Sequence, residues 1–389
     1  MSLQMELLLF ATGSLGHVAI CVSALNRIQG CVAEYSLEKR LKRCVAGWAF
    51  IWLCVPLVVA LTSEPTVSPW AYVARQFYAE WGYYSFAGMW LFAVALQRLL
   101  HVVTDRCPRA WDLLSSDVRD INRLLGKRFV KESISSFQVS LWGNEVGQLD
   151  VNRKSLKLVN LPKELDGLMI THFSDLHITG AIVRQYYAQL KEEIQKLDSD
   201  LIILTGDILD DLTRMDWVLD LLSGMKARAG CYFVLGNHDV RHGQDQLLRA
   251  ELERIGWQDL GGKTRQIEFH GQLIDLVGNE LPWIGTAPEN NTANKGFSIC
   301  AVHTPDLLQW GRQSDFNLML AGHAHGGQIR LPIIGPVVCP SAHGVRYASG
   351  VFEAGETLLH VSRGVSGYHP LRWRCRPELT QLVLTARVP

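Results

Sequence analysis

In the second half of the chain, short apolar runs stop at a carboxylate, amide or imidazole with a regularity that leaves few folds open. Residues 168–173 run into Asp175 and His177, 201–204 into Asp207, and 231–235 into Asn237, His238 and Asp239. Further on, 297–302 run into His303 and 316–320 into His323 and His325. Helix-like stretches (182–197, 217–225 and 246–255) separate these runs, and 272–277 reads as a further strand. Strand-length apolar runs alternating with helix-length periodic ones predict an α/β fold whose strands are buried on both faces. Each polar motif falls just past the carboxyl end of a strand, which is where open α/β sheets place their sites.

A single histidine at a strand end is more often structural than a ligand, so the weight rests on the set. In Asp175-x-His177 and His323-x-His325, residues two apart on extended chain point to the same face. Carboxylates, imidazoles and one amide carbonyl together suit a pair of first-row ions such as Mn, Fe or Zn better than calcium or magnesium alone. Glycines before Asp207, Asn237 and His323 let the backbone turn tightly there.

The ordered set D-x-H, G-D, G-N-H-D, H and G-H-x-H resembles the calcineurin-like metallophosphoesterase superfamily. The continuation GHAHGGQIRLPIIGPV, with SRGVSG and RPELTQLVL after it, is similar to that superfamily's membrane-associated branch of YkuE- and YaeI-type bacterial phosphodiesterases. The resemblance covers roughly residues 151–388 and implies a two-sheet sandwich flanked by helices. It further implies that Asp175, His177 and His325 bind one divalent metal ion, that Asn237, His303 and His323 bind a second, and that Asp207 bridges them. His238 matches the proton donor to the leaving oxygen, and Asp239 the residue expected to orient it. Two such ions hold and acidify a water and stabilise both the attacking and departing oxygens in an in-line displacement. The chain departs from its relatives in the stretch LVGNELPWIG (276–285), where they often carry an acidic element. His172, His242, His270, His343, His360 and His369 match no ligand block and read as structural or surface residues, and Arg330 and Arg363 read as ordinary salt-bridge partners.

The front of the chain is different. Hydrophobic residues make up 48% of the 389 and charged ones only 20%, and the apolar excess lies at 7–26, 45–62 and 82–103. Each run is long enough to cross a hydrocarbon core of about 30 Å, so three transmembrane helices are expected within 1–104. Arg27, Lys39, Arg40, Lys42 and Arg43 follow the first run, whereas only Arg75 follows the second. The positive-inside rule therefore puts the N-terminus outside and the rest of the chain after the third run in the cytoplasm, as a multi-pass protein of the cell membrane. Residues 105–135 read as a polar helical linker, with Leu113, Leu114, Val118, Ile121 and Leu125 at helical spacing. The phosphoesterase-like domain then occupies 136–389.

Lys and Arg (38) balance Asp and Glu (38), which removes the basic excess that nucleic-acid binding usually needs. The nine cysteines are scattered, with no CxxC pair, so neither a disulfide framework nor a zinc ribbon is expected. These readings converge on a membrane-anchored, dinuclear-metal hydrolase of a phosphodiester or pyrophosphate, with a lipid headgroup as candidate substrate. The alternative is a membrane sensor or scaffold whose phosphoesterase-like domain binds metal without turnover.

Overall fold

The computed structural model describes residues 3–62, 82–104, 110–125, 129–130, 134–241, 243, 245–288 and 296–387. The chain divides into two compact units, residues 1–106 and 107–389.

The first unit is helical: α1 (Leu3–Cys31), α2 (Tyr35–Thr62) and α3 (Tyr83–Thr104). Gly16 of α1 lies so close to Ala87 of α3 that a Cβ there would come within 2.1 Å of the Ala87 carbonyl oxygen, so the two backbones meet directly. The His17 ring stacks on Trp52, and its Nδ1 lies 2.6 Å from the Tyr83 hydroxyl. Among the described residues no helix is long and apolar enough to cross a membrane, so the three expected transmembrane spans find no support there. Lys39, Arg40, Lys42 and Arg43 belong to α2 itself rather than to a loop before it, and α3 carries Gln97, Arg98 and His101. Arg75 and the rest of 63–81 lie outside the described residues.

The second unit opens with a correction. Residues 111–120, read as part of a helical linker, form strand β1 (Trp111–Asp120), and residues 107–135 of the expected linker 105–135 fall within the same unit as the strands that follow. The leucine and valine spacing suits a helix, but β1 pairs antiparallel with β2 (Gln148–Leu158) from Trp111 opposite Leu156 to Asp120 opposite Gln148. That ladder satisfies the backbone and overrides a weak local preference. Helices α4 (Ile121–Leu125) and α5 (Ile134–Ser140) lie between the two strands.

The remaining elements are β3 (Met169–Phe173), α6 (Arg184–Lys196), β4 (Leu201–Thr205), α7 (Met215–Leu222), β5 (Cys231–Val234), α8 (Asp245–Arg254) and β6 (Gln258–Asp259). They are followed by β7 (Thr264–Phe269), β8 (Gln272–Asn279), β9 (Phe297–Val302), α9 (Leu308–Gln313) and β10 (Leu318–Ala321). A small hairpin, β11 (Arg330–Leu331) with β12 (Gly335–Pro336), precedes β13 (Gly350–Ala354), β14 (Thr357–Val361) and β15 (Glu378–Ala386). One sheet has the order β1-β2-β15-β3-β4-β5-β6 and the other β13-β14-β10-β9-β8-β7. The two pack face to face. Leu201 and Ile203 of β4 join Ile299, Leu318 and Leu320 between the sheets, while Ile202 and Leu204 pack outward on Tyr187, Val218 and Leu248 of α6, α7 and α8. Being buried on both faces, β4 has no polar residue before Thr205. The outer face of the second sheet packs Cys300, Met319 and Leu359 against Leu308 of α9.

The expected two-sheet sandwich flanked by helices is therefore what the chain forms. Parallel registers set Phe173 opposite Leu204 and Thr205 opposite Val234 in one sheet, and Leu320 opposite Ala301 in the other. These strands finish together, so the loops after them share one edge of the sandwich.

Candidate metal centre

Asp175 and His177 follow β3, Asp207 follows β4, Asn237 follows β5, His303 follows β9, and His323 and His325 follow β10. Side-chain donors of Asp175, His177, Asp207 and His325 converge into one group, and those of Asp207, His303 and His323 into a second. Asp207 is common to both. Its Oδ2 lies 3.4 Å from His177 Nε2 and its Oδ1 3.3 Å from His303 Nε2. In the first group His325 Nε2 is 3.3 Å from Asp175 Oδ1 and 3.1 Å from His177 Nε2. In the second, Asn237 Oδ1 lies 3.2 Å and His323 Nδ1 3.1 Å from His303 Nε2. Both groups draw on both sheets. The sequence-derived ligand candidates are thus brought together at one edge of the sandwich.

The donor chemistry fits divalent cations. Asp175, His177, Asp207, His303, His323 and His325 are all buried, and His323 Nε2 is a buried nitrogen with no hydrogen-bond partner. Burial and neighbouring histidines hold His323 and His325 well below the ordinary imidazole range, which leaves both rings neutral with lone pairs available. Burial alone would push the Asp207 carboxyl up, but His303 and His238 beside it hold it well below the usual carboxylate range. A buried anion beside the neutral imidazoles of His323 and His325 is an environment that a metal ion completes.

Asp239 is the correction at this site. Its Oδ1 accepts from the backbone N–H groups of Ile208 (2.8 Å) and Leu209 (2.9 Å), and its Oδ2 from that of Gly236 (2.8 Å). With both oxygens occupied by backbone, it pins the loop after β4 to the loop after β5 rather than orienting His238. The carboxylate at His238 is Asp210: its Oδ1 contacts His238 Nδ1, and its Oδ2 lies 2.8 Å from His177 Nδ1. Arg241 Nη1 reaches the same His238 nitrogen at 2.8 Å. The His238 backbone N–H donates to Asp207 Oδ1 at 2.9 Å, which fixes this loop to the shared carboxylate.

Aromatic rings flank both halves. Tyr368 lies 5.4 Å, centroid to centroid, from His238, and Trp283, from the stretch where the chain departs from its relatives, lies 4.9 Å from His323 and 5.5 Å from His303. Of the histidines that match no ligand block, His270 and His369 are exposed. His172 and His360 are buried between the sheets, with their Nδ1 atoms 2.8 Å apart, while His242 lies outside the described residues. Arg363 pairs with Asp150 and Glu378, but Arg330 is held by the Gly326 carbonyl and the Ser349 hydroxyl instead of by a carboxylate. Among the described residues the cysteines are free.

The calcineurin-like phosphoesterase family profile matches residues 168–327, the stretch containing every ligand candidate. The metallophosphoesterase YkuE of Bacillus subtilis is 32% identical over 254 residues, which cover 62% of this chain and 87% of YkuE. The chain belongs to the calcineurin-like metallophosphoesterases. This metallophosphoesterase is also 34% identical to the phosphodiesterase YaeI of Escherichia coli over 48% of its own length and 70% of YaeI. A transmembrane protein with metallophosphoesterase domain from Danio rerio is 26% identical over 58% of the chain and 54% of that relative. Membership makes the protein a metal-dependent phosphoester hydrolase.

Proposed function

We propose that the protein is a dinuclear-metal phosphodiesterase acting on a phosphodiester or pyrophosphate carried by a membrane lipid. The observation that carries the dinuclear reading is Asp207, which offers one carboxylate oxygen to each donor group. Asp175, His177 and His325 would hold one ion and Asn237, His303 and His323 the other, with Asp207 shared. Two divalent ions, when bound, would acidify a water and stabilise the charge developing on the phosphoryl oxygens.

The chain's own groups supply the rest. Asp210 at His238 Nδ1 fixes the orientation of that ring and favours its imidazolium, whose Nε2–H would be the proton given to the leaving oxygen. The second contact of Asp210, to His177 Nδ1, ties the proton donor to the first ligand group through one carboxylate. Asp239 keeps the two loops in register through its three backbone bonds. The phosphodiester preference is supported by the name of YaeI, and the lipid by two observations. The Danio rerio relative is named as transmembrane, and the N-terminal helices leave Leu8, Leu15, Phe50, Met89, Phe92 and Leu99 exposed, an apolar surface of the kind that marks membrane contact.

The test is Asp207→Ala on the full chain, with metal content and hydrolysis of a water-soluble aryl phosphodiester measured together. The wild type should bind two manganese equivalents, and the variant should lose turnover together with bound metal. Near-normal hydrolysis by the variant would overturn the dinuclear reading.

A further inference from the structure

The loop that carries His323 and His325 runs straight into the β11–β12 hairpin, and the sequence of that hairpin is unusual for a water-facing turn. Leu331, Pro332, Ile333, Ile334 and Gly335 form its tip, with Ile333 fully exposed at 108% and Ile334 at 56%. Ile333 also sits at φ +66°, a left-handed conformation that a β-branched residue adopts only under strain and that glycine would take freely. The sequence has an isoleucine at this position, where nothing among the described residues covers it.

The base of the hairpin is rigidly joined to the metal centre. A Cβ on Gly327 would come within 2.5 Å of Pro336 Cβ, so β12 lies directly on the loop two residues after His325. Arg330 Nε donates to the Gly326 carbonyl at 2.9 Å, and the Arg330 backbone N–H to the Trp373 carbonyl at 3.0 Å. Whatever the tip enters therefore stands at a fixed place relative to the ligands.

The sequence around the hairpin carries charge of one sign. Residues 316–352 and 357–377 contain no Asp or Glu, while Arg330, Arg346 and the exposed Arg374 lie within them. We propose that this hairpin inserts its apolar tip into an anionic lipid bilayer, with the arginines at the headgroups, and so presents the metal centre to phosphoesters in that surface. A projecting tip of aliphatic side chains, in a stretch of sequence whose charges are all cationic, matches the acyl–headgroup boundary of such a bilayer. The inference deepens the lipid-substrate reading of the same site and rests on it for the kinetic arm alone.

Two measurements on the full chain test it, with vesicles of phosphatidylglycerol and phosphatidylcholine. In the first, Ile333→Trp adds a fluorophore at the tip, and its emission is isolated by subtracting the wild-type signal. Brominated acyl chains should quench that added emission. Quenching by aqueous iodide but not by brominated lipid would overturn the proposal, and so would shielding from both, the signature of a protein partner. In the second, the double variant Ile333→Asp/Ile334→Asp should hydrolyse a vesicle-borne phosphodiester at least about tenfold more slowly, while its rate on a water-soluble aryl ester stays within about twofold. Equal loss on both substrates, or none on either, would overturn the role of the hairpin. Failure of the wild type on the soluble ester would instead count against the hydrolase reading, and leaves the fluorescence result to decide on insertion.

Discussion

Asp175, His177, Asp207, His323 and His325 all adopt left-handed backbone conformations, with φ from +43° to +65°. Each costs roughly 1–2 kcal/mol for a residue bearing a Cβ, a strain expected where function fixes side-chain direction. At this scale the sequence was most legible, because ligand identity is written in short motifs at strand ends. What it hid was the division of labour between Asp210 and Asp239. Residues 207–211 hold three aspartates, and adjacency to His238 favours Asp239, but only the fold shows that Asp239 is occupied by three backbone N–H groups and that Asp210 reaches the imidazole. The consequence for His238 is testable. His238→Ala should retain both metal equivalents yet lose about 10²–10⁴ in rate on alkyl esters, whose leaving oxygens need the proton, and much less on activated aryl esters. Equal losses on the two ester classes would exclude a general-acid role.

Strand β4 was readable from its unbroken apolar run, whereas β1 was not. Its leucines and valine match a helical spacing, and its identity comes from a partner strand 28–45 residues away in the chain, from Asp120 opposite Gln148 to Trp111 opposite Leu156. The layer between the sheets was equally hidden. Lys154 Nζ lies 2.6 Å from Glu378 Oε1 and 3.1 Å from His360 Nε2, His360 meets His172, and His172 Nε2 lies 2.9 Å from the Thr205 hydroxyl. This polar chain ends beside the metal centre, since the Thr205 carbonyl accepts from His303 Nδ1 at 2.8 Å. Burial, with Lys154 nearby and Glu378 opposing it, pulls His172 down to about 3. Its ordinary value is near 6.5, so between those limits the unfolded chain binds the proton and the folded one does not. Stability should therefore fall as pH drops from about 6.5 toward 3, by up to about 1.4 kcal/mol per pH unit from this residue. Urea unfolding at pH 7, 5.5 and 4.5 should show a shallower decline for His172→Gln than for the wild type; parallel declines would show that His172 does not titrate in this window.

For the molecule as a whole, the sandwich was legible in the strand-end motifs, whereas the three expected spans at the front find no support among the described residues. The catalytic unit offers a global test. If ions bind the folded site and not the unfolded chain, free manganese at about a hundred times its dissociation constant should add about 2.7 kcal/mol, raising Tm by roughly 5–10 °C over the chelated protein. Asp207→Ala should abolish that rise, and an unchanged Tm in the wild type would show that the groups do not act as a metal site.

Each donor group takes residues from both sheets: Asp175 and His177 meet His325 across the seam, and Asn237 meets His303, which in turn meets His323. Ions seated there would act as rivets through two plates, so the edge that is catalytically richest would also be the last to part. Amide hydrogen exchange at the ends of β4 and β10 would then slow together on metal loading, although the two strands belong to different sheets, and proteolytic nicking of the metal-free protein would begin along that seam.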